Sequence, residues 1–211
     1  MQRLTFYLGV AAIVAVNVSC GKVPSSNGRG SSFIVIDSLQ GIRGAVTAGT
    51  PSSTLISDVI TNVVTPDPCS TAAPCPTVFG DNGRVTMHVV MKDSGSAAPT
   101  TPTPLNDITL SQYRVVYRRA DGRNTPGVDI PFPFDSFVTV TVTPGATAFG
   151  FSLVRVQAKQ EPPLVLLKNP LAGVLTGFAD ITFFGKDQTG AEVSVTGTIQ
   201  IDFGNFGDTA S

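Results

Sequence analysis

The segment that decides the fold is ITLSQYRVVYRR, residues 108–119, in which the character of the side chains alternates along the chain. In an extended chain successive side chains point to opposite faces, so Tyr113, Val115 and Tyr117 share one face and the residues between them share the other. A period of two is typical of a β-strand, and this run is the best example of it in the sequence.

A β-hairpin is predicted in the last part of the sequence. LTGFADITFFGK at 175–186 and AEVSVTGTIQIDF at 191–203 are alternating runs, and DQTG at 187–190 connects them. A four-residue connection that ends in glycine between two such runs predicts paired strands. Other strands are predicted at 32–40, at 54–64 (where a short helix is the alternative), at 83–92 after a turn at 81–83, at 137–143 and at 148–159.

Seven or eight strands separated by turn signals predict a single all-β domain over residues 33–205, with a short tail at 206–211. Strands of this number and spacing resemble an immunoglobulin-like or fibronectin type III-like antiparallel β-sandwich, and a barrel is the alternative. The resemblance is architectural, because the chain contains no Trp and its candidate cysteine bridge is local. It implies that loops on the sandwich carry any binding function.

The composition argues against several classes of function. With 14 Lys and Arg against 15 Asp and Glu, the net charge is −1, which provides no basic face for nucleic acid. The single His lies in mid-strand, no serine stands in a G-x-S-x-G motif, and only two of the acids are Glu. No phosphate-binding or dinucleotide-binding motif is present. We therefore expect no enzymatic activity, no catalytic residues and no cofactor.

The sequence also disfavours a metal site. His88 lies between Met87 and Val89, with Met91 close by, a combination that suggests copper. In a strand, however, His88 points away from the face that the methionines share, and methionine on an apolar face is usually core filler. The acidic turns at 81–83 and 187–190 provide one carboxylate each, whereas calcium takes about six to eight oxygen ligands.

The first 19 residues have the form of an export signal. MQR carries one positive charge, and LTFYLGVAAIVAV at 4–16 is uncharged and almost entirely apolar. This run has the length of a signal-peptide core and is shorter than the roughly 20 residues that cross a bilayer. The residues that follow it are Asn17, Val18, Ser19, Cys20 and Gly21.

A small residue, a cysteine and a glycine directly after such a run resemble the lipobox of bacterial lipoproteins. The resemblance implies that residues 1–19 are a signal peptide cut after Ser19 and that the thiol of Cys20 is acylated. Three residues before the cysteine the family prefers Leu or another aliphatic residue, and this chain has Asn17. An ordinary secretory signal that contains a cysteine is the alternative.

Residues 20–32 predict a flexible tether, because CGKVPSSNGRGSS has no periodicity and is rich in Ser, Gly and Asn. The lipobox resemblance implies that a lipid on Cys20 anchors the domain to a membrane of the bacterial cell envelope. Removal of residues 1–19 leaves 13 basic against 15 acidic residues, which provides no net attraction to anionic lipids. The acyl chains must therefore hold the protein at the membrane. The membrane is therefore the first expected partner, and an envelope or surface protein is the second.

Cys69 and Cys75 lie in DPCSTAAPCP, residues 67–76. An exported protein folds in an oxidising compartment, where a remaining pair of cysteines favours a disulfide. A metal site and free thiols are the alternatives. Two thiols without a second pair or a nearby His provide at most half of a zinc site.

The segment YRRADGRNTPGVDIPFPFDSF, residues 117–137, is the candidate binding loop. Arginine and aromatic residues are enriched at interaction hot spots. The alternative is an edge segment whose prolines block strand pairing while two phenylalanines plug one end of the core. A binding role predicts that Arg119 and Arg123 are exposed. The residues assigned to the loop are Arg118, Arg119, Arg123, Phe132 and Phe134.

The sequence therefore predicts a lipid-anchored, non-enzymatic envelope protein that acts as a binding or adhesion module. Two other functions remain open. One is a structural subunit of an envelope assembly that is joined through sheet edges. The other is a carbohydrate-binding module, for which the lack of Trp leaves three Tyr as stacking residues.

Overall fold

A computed structural model describes residues 30–93, 95–98, 100–169 and 171–206 of the protein. The predicted signal peptide, Cys20 and residues 207–211 lie outside these ranges. The described residues are mostly β-structure, with ten strands and one short α-helix. The elements are β1 (Ser32–Ile42), β2 (Thr54–Asp58), β3 (Thr61–Val63), β4 (Cys75–Thr77), β5 (Asp81–Met91), β6 (Ile108–Arg119), β7 (Phe134–Val142), β8 (Thr147–Val154), α1 (Val156–Gln160), β9 (Leu175–Asp187) and β10 (Glu192–Gly204), with 3-10 helices at Pro104–Asn106 and Leu164–Lys168.

The strands form two principal sheets and a small hairpin. The smaller sheet has the order β1-β5-β8, the larger sheet has the order β2-β10-β9-β6-β7, and β3 pairs with β4. The expectation of an all-β fold is confirmed. The expectation of seven or eight antiparallel strands is corrected, because β2 runs parallel to β10, from Thr54 opposite Gln200 to Asp58 opposite Gly204. The chain leaves the smaller sheet after β1 and joins the edge of the larger sheet in the direction of β10.

The core lies between the two principal sheets. Strand β6 has the predicted bounds, and Tyr113, Val115 and Tyr117 all point into the core. The ring of Tyr113 contacts Phe151 of the smaller sheet, at 5.4 Å between centroids, and Phe183 of the larger sheet, at 6.0 Å. The alternation in residues 113–117 therefore directs the apolar face of β6 toward the opposite sheet.

Strand β5 contributes the methionine face to the same core. Met87, Val89 and Met91 are buried. His88 points to the other face of the sheet, where its Nδ1 lies 2.9 Å from Oδ2 of Asp37. The methionines therefore pack as core side chains, and the histidine does not share their face.

Three local predictions are wrong where a charged residue enters the interior. Residues 81–83 are the start of β5, paired with the end of β8, and not a turn. The predicted strand 54–64 is divided into β2 and β3, and Asp58 at the end of β2 is buried. The predicted strand 148–159 ends at Val154, and α1 follows with a buried Lys159. In each case the polar residue that indicates a surface position pairs inside the protein.

The predicted hairpin of β9 and β10 is confirmed. The turn between them is closed by Asp187, whose Oδ1 accepts hydrogen bonds of 2.9 Å from the backbone N–H groups of Thr189 and Ala191. Gly190 has φ = +85°, a conformation that favours glycine. The positive φ at this position therefore explains why the connection ends in glycine.

Candidate binding site

Two connecting segments meet at one end of the sheets. Residues 120–133 join β6 to β7, and residues 155–174, which include α1, join β8 to β9. Arg155 directly follows β8, and its guanidinium lies over the ring of Phe134 at the start of β7. This contact brings the two segments together, and we call this region the α1 end of the domain.

A pocket of about 350 Å³ lies between the two segments. Residues 131–134 line one side, and Arg155, Gln157, Ala158 and Glu161 line the other. The Cζ atom of Arg155 is 3.7 Å from the centroid of the Phe134 ring, which is a cation–π contact. The pocket thus combines aromatic and proline surface with two charged side chains, as ligand pockets commonly do.

The guanidinium of Arg155 has no carboxylate partner among residues 30–93, 95–98, 100–169 and 171–206. Glu161, at the opposite end of α1 from Arg155, accepts a hydrogen bond of 2.8 Å from the side-chain amide of Gln157. The N–H donors of Arg155 are therefore free to bind an anion beside an aromatic surface. A planar guanidinium matches a carboxylate particularly well.

The two phenylalanines of the candidate loop have different environments. Phe134 is 8% exposed and packs into the end of the core, whereas Phe132 is 56% exposed. Gly127 lies under Phe132 with φ = +75°, and a Cβ there would be 2.5 Å from the ring. Phe134 therefore has the core-plugging role that was the alternative interpretation, and Phe132 provides the accessible aromatic surface.

The arginines of the candidate loop all have carboxylate partners. Arg118 lies in β6, where its Nε donates to Asp180 at 2.8 Å. Arg119 and Arg123 both bind Asp121, at 2.6 and 2.9 Å. The side chain of Arg123 is 65% exposed and that of Arg119 is 22% exposed. None of the three lines the pocket. The arginine that does line it is Arg155, which was not predicted from the sequence.

Asp121 organises the tip of the loop. Its hydrogen bonds, chiefly from the side chain of Arg123 and then from Arg119, lower the pKa of Asp121 to about 2. The same contacts raise the pKa of Arg123. Together the side chains of Arg119, Asp121 and Arg123 carry one net positive charge.

A buried charge cluster lies under α1. The ammonium of Lys159 is 2.8 Å from the Asp81 carboxylate, and both side chains are 0% exposed. Asp58, which is also fully buried, pairs with Arg43 at 2.5 Å. The cluster attaches α1 to β2 and β5, and so it positions the α1 side of the pocket. The signal that could have found it is Asp58, an acid in the middle of a β-branched run.

Cys69 and Cys75 form the predicted disulfide, with sulfur atoms 2.04 Å apart and Cα atoms 5.3 Å apart. Cys75 belongs to β4, where it pairs with Val63 of β3. The described residues contain no group of three or more His, Cys, Asp or Glu that could hold a metal ion. In the same residues no helix is long and apolar enough to cross a membrane.

Comparison with known proteins adds no relative. No family model, no curated protein and no solved structure matches this chain.

Proposed function

We propose that the protein is an exported, lipid-anchored protein of the bacterial cell envelope and that its immunoglobulin-like domain binds a partner protein through the α1 end. The lipobox-like sequence at residues 17–21 supports the anchor. The binding role rests on the pocket, in which Arg155 is stacked on Phe134 without a carboxylate partner among the described residues.

The strand order supports an immunoglobulin-like architecture. In that fold strands A, B and E lie in one sheet, and strands G, F, C and C′ are neighbours in the other. The orders β1-β5-β8 and β10-β9-β6-β7 correspond to these two sets. The domain lacks the bridge between sheets that antibody domains have, because its disulfide is local to residues 69–75.

The chemistry of the pocket indicates the kind of group it takes. Phe132, the prolines of residues 131–134 and Ala158 provide an apolar wall, and Arg155 provides an unpaired donor fork. A segment of a partner protein that places an apolar side chain next to a carboxylate can pack on the apolar wall and pair with Arg155. Arginine and aromatic side chains in a desolvated pocket are the residue types that dominate binding energy at interfaces.

The test is capture of the partner from envelope extracts by full-length protein in detergent. We compare the unchanged protein with Arg155→Gln and Phe132→Ala, each of which alters the pocket and leaves the buried cluster intact. Arg114→Gln is the matched control, because Arg114 is an arginine with 52% side-chain exposure on the sheet face outside the pocket.

The proposal requires a protein that the unchanged chain and Arg114→Gln both capture and that the two pocket variants lose. Equal capture by all four proteins, or no capture by the unchanged chain, contradicts it. The carbohydrate-binding alternative has less support in the described residues. Tyr113 and Tyr117 are both buried, so neither can form a stacking platform for sugar.

A further inference from the structure

Lys159 is a rare kind of residue, a lysine with no exposed side-chain surface. Its Nζ lies 2.8 Å from Oδ2 of Asp81, whose side chain is also 0% exposed, and 2.7 Å from the carbonyl oxygen of Asp58. Lysine is almost never fully buried unless it is paired. Burial is the main cause that lowers the pKa of Lys159, and the Asp81 carboxylate opposes this only in part. The neutral amine, which is the nucleophilic form, is therefore easier to form here than on a lysine in water.

The two oxygens of the Asp81 carboxyl group have different surroundings. Oδ1 accepts a hydrogen bond of 2.8 Å from the backbone N–H of Gly44. Oδ2 accepts a hydrogen bond of 2.6 Å from the hydroxyl of Ser57 and is also the oxygen that faces Lys159. A fixed donor at Oδ1 stabilises negative charge that develops there when an amine attacks Cγ. A hydroxyl at Oδ2 is placed to help this oxygen leave.

Two physical effects favour loss of water from this pair. A buried ion pair keeps two charges away from solvent at a high cost, and an amide carries no charge. Side chains that are held in contact react as if each were present at a very high concentration, on the order of 10⁵ M or more in well-oriented cases. Because both side chains are fully buried, bulk water has no direct access to reverse the reaction.

We infer that Lys159 and Asp81 condense to an intramolecular amide bond once the chain has folded. A proton first passes from the ammonium to the carboxylate within the ion pair. The amine nitrogen then bonds to Cγ of Asp81, the bond from Cγ to Oδ2 breaks, and Oδ2 leaves as water with two hydrogens. The product is one amide and one water molecule, so the step needs no oxidant, reductant or other reactant.

The bond links β5 to α1 and fixes the helix that forms one side of the pocket. The inference does not depend on the proposed binding function, because the cross-link forms inside the domain whether or not a partner exists.

Peptide mapping of the full-length protein tests the bond directly. After reduction and alkylation, trypsin cuts behind free lysine and arginine but not behind an acylated lysine. If the amide forms, residues 44–84 and 156–168 appear as one branched peptide whose mass is that of the two chains less one water. If the ion pair persists, trypsin cuts after Lys159 and releases 160–168 as a linear peptide. Release of 160–168 in full yield from folded protein overturns the inference.

Two variants make the assignment specific. Lys159→Met removes the amine with little change in side-chain length and must abolish the branched peptide. Lys186→Met, at a lysine with 65% side-chain exposure, is the matched control and must retain it. If Lys159→Met does not fold, the map of the unchanged protein still decides the question. A branched peptide that persists in Lys159→Met assigns the cross-link to another residue and also overturns the inference.

Discussion

The phenol of Tyr117 in β6 donates a hydrogen bond of 2.7 Å to the backbone carbonyl of Leu153 in β8, and so it joins the two sheets inside the core. Leu153 is the extra residue of a β-bulge, because Asp81 pairs with Val154 and Asn82 with Ser152. The bulge leaves the Leu153 carbonyl without a partner in the ladder. Burial raises the pKa of Tyr117 above its ordinary value of 10.0, so the phenol is protonated at neutral pH and can donate this hydrogen bond.

Tyr117→Phe removes this donor and leaves a buried carbonyl unpaired. We expect the free energy of unfolding to fall by about 1–3 kcal/mol, measured by urea denaturation with an unchanged m-value. Thr141→Val is the comparison, because its hydroxyl lies on the exposed face of β7 and pairs with that of Thr109. Equal midpoints for Tyr117→Phe and the unchanged protein would show that the bond contributes nothing.

Gly83 is required by an aromatic ring on the neighbouring strand. A Cβ at this position would lie 2.2 Å from the ring of Phe151, which is buried in the core. Gly83→Ala is therefore expected to destabilise the protein by about 1–3 kcal/mol, as overpacking does. At Gly150, in β8, the atom nearest to an added methyl group would be 3.7 Å away. Gly150→Ala is the matched control and should leave the thermal midpoint unchanged or slightly higher.

The order of the tip at Asp121 should depend on pH in the acid range. The pKa of Asp121 falls from its ordinary value of 3.8 to about 2 in the folded protein. A carboxyl group with a lowered pKa stabilises the folded tip at pH values above its ordinary pKa. This contribution is lost as pH falls from about 4 to about 2. NMR titration of the Asp121 carboxyl carbon measures the pKa directly. A midpoint near 4 would mean that Arg119 and Arg123 do not hold the carboxylate in solution.

Reduction of the Cys69–Cys75 disulfide should have a moderate and local effect. For a ring of this size chain entropy gives about 2 kcal/mol as an upper value. Four prolines at positions 66, 68, 74 and 76 already restrict the segment, which lowers the entropy that a bridge can remove. Hydrogen exchange of Cys69→Ser/Cys75→Ser should show faster opening of β3 and β4 and little change in β6. Unfolding of the whole domain upon reduction would contradict this expectation.

Cys20 should carry the membrane anchor. We expect the mature protein, expressed in its native host, to begin at Cys20 with acyl chains attached and to remain with membranes in high salt. Cys20→Ala should appear in the soluble fraction or retain the signal peptide. Mass spectrometry of the N-terminal peptide makes the measurement. An unmodified N terminus at another residue would favour an ordinary secretory signal over a lipobox.

Sequence periodicity predicted the strands whose two faces differ in polarity. Residues 108–119 and the hairpin predicted at 175–203 alternate clearly, and their bounds agree with β6, β9 and β10 to within a few residues. The disulfide was predicted from the pair of cysteines that remains when Cys20 is assigned to the predicted lipid anchor, and the structure contains it. The pairing of β2 with β10 could not be predicted in this way, because alternation within a strand carries no information about the direction of a partner far away in the chain.

The same reasoning explains why the polar interior was missed. Asp81-Asn82-Gly83 has the composition of a turn, and Lys159 stands where a surface lysine would stand in an alternating strand. Only tertiary contacts show that Asp81 and Lys159 meet in the interior. Arg155 was missed for a similar reason, since its importance lies in its contact with the ring of Phe134 and in its lack of a carboxylate partner among the described residues.

The parallel pairing of β2 with β10 imposes an order on assembly. A ribosome delivers β2 early and β10 late, so the larger sheet stays open at this edge until residues 200–204 have emerged. Until then, the backbone groups of β2 that pair with β10 have no partner in that sheet, and unpaired strand edges of this kind promote aggregation. A molecule truncated before Gln200 therefore lacks the strand that pairs with β2, in which Leu55 is buried. Its unpaired strand edge is open to aggregation and proteolysis.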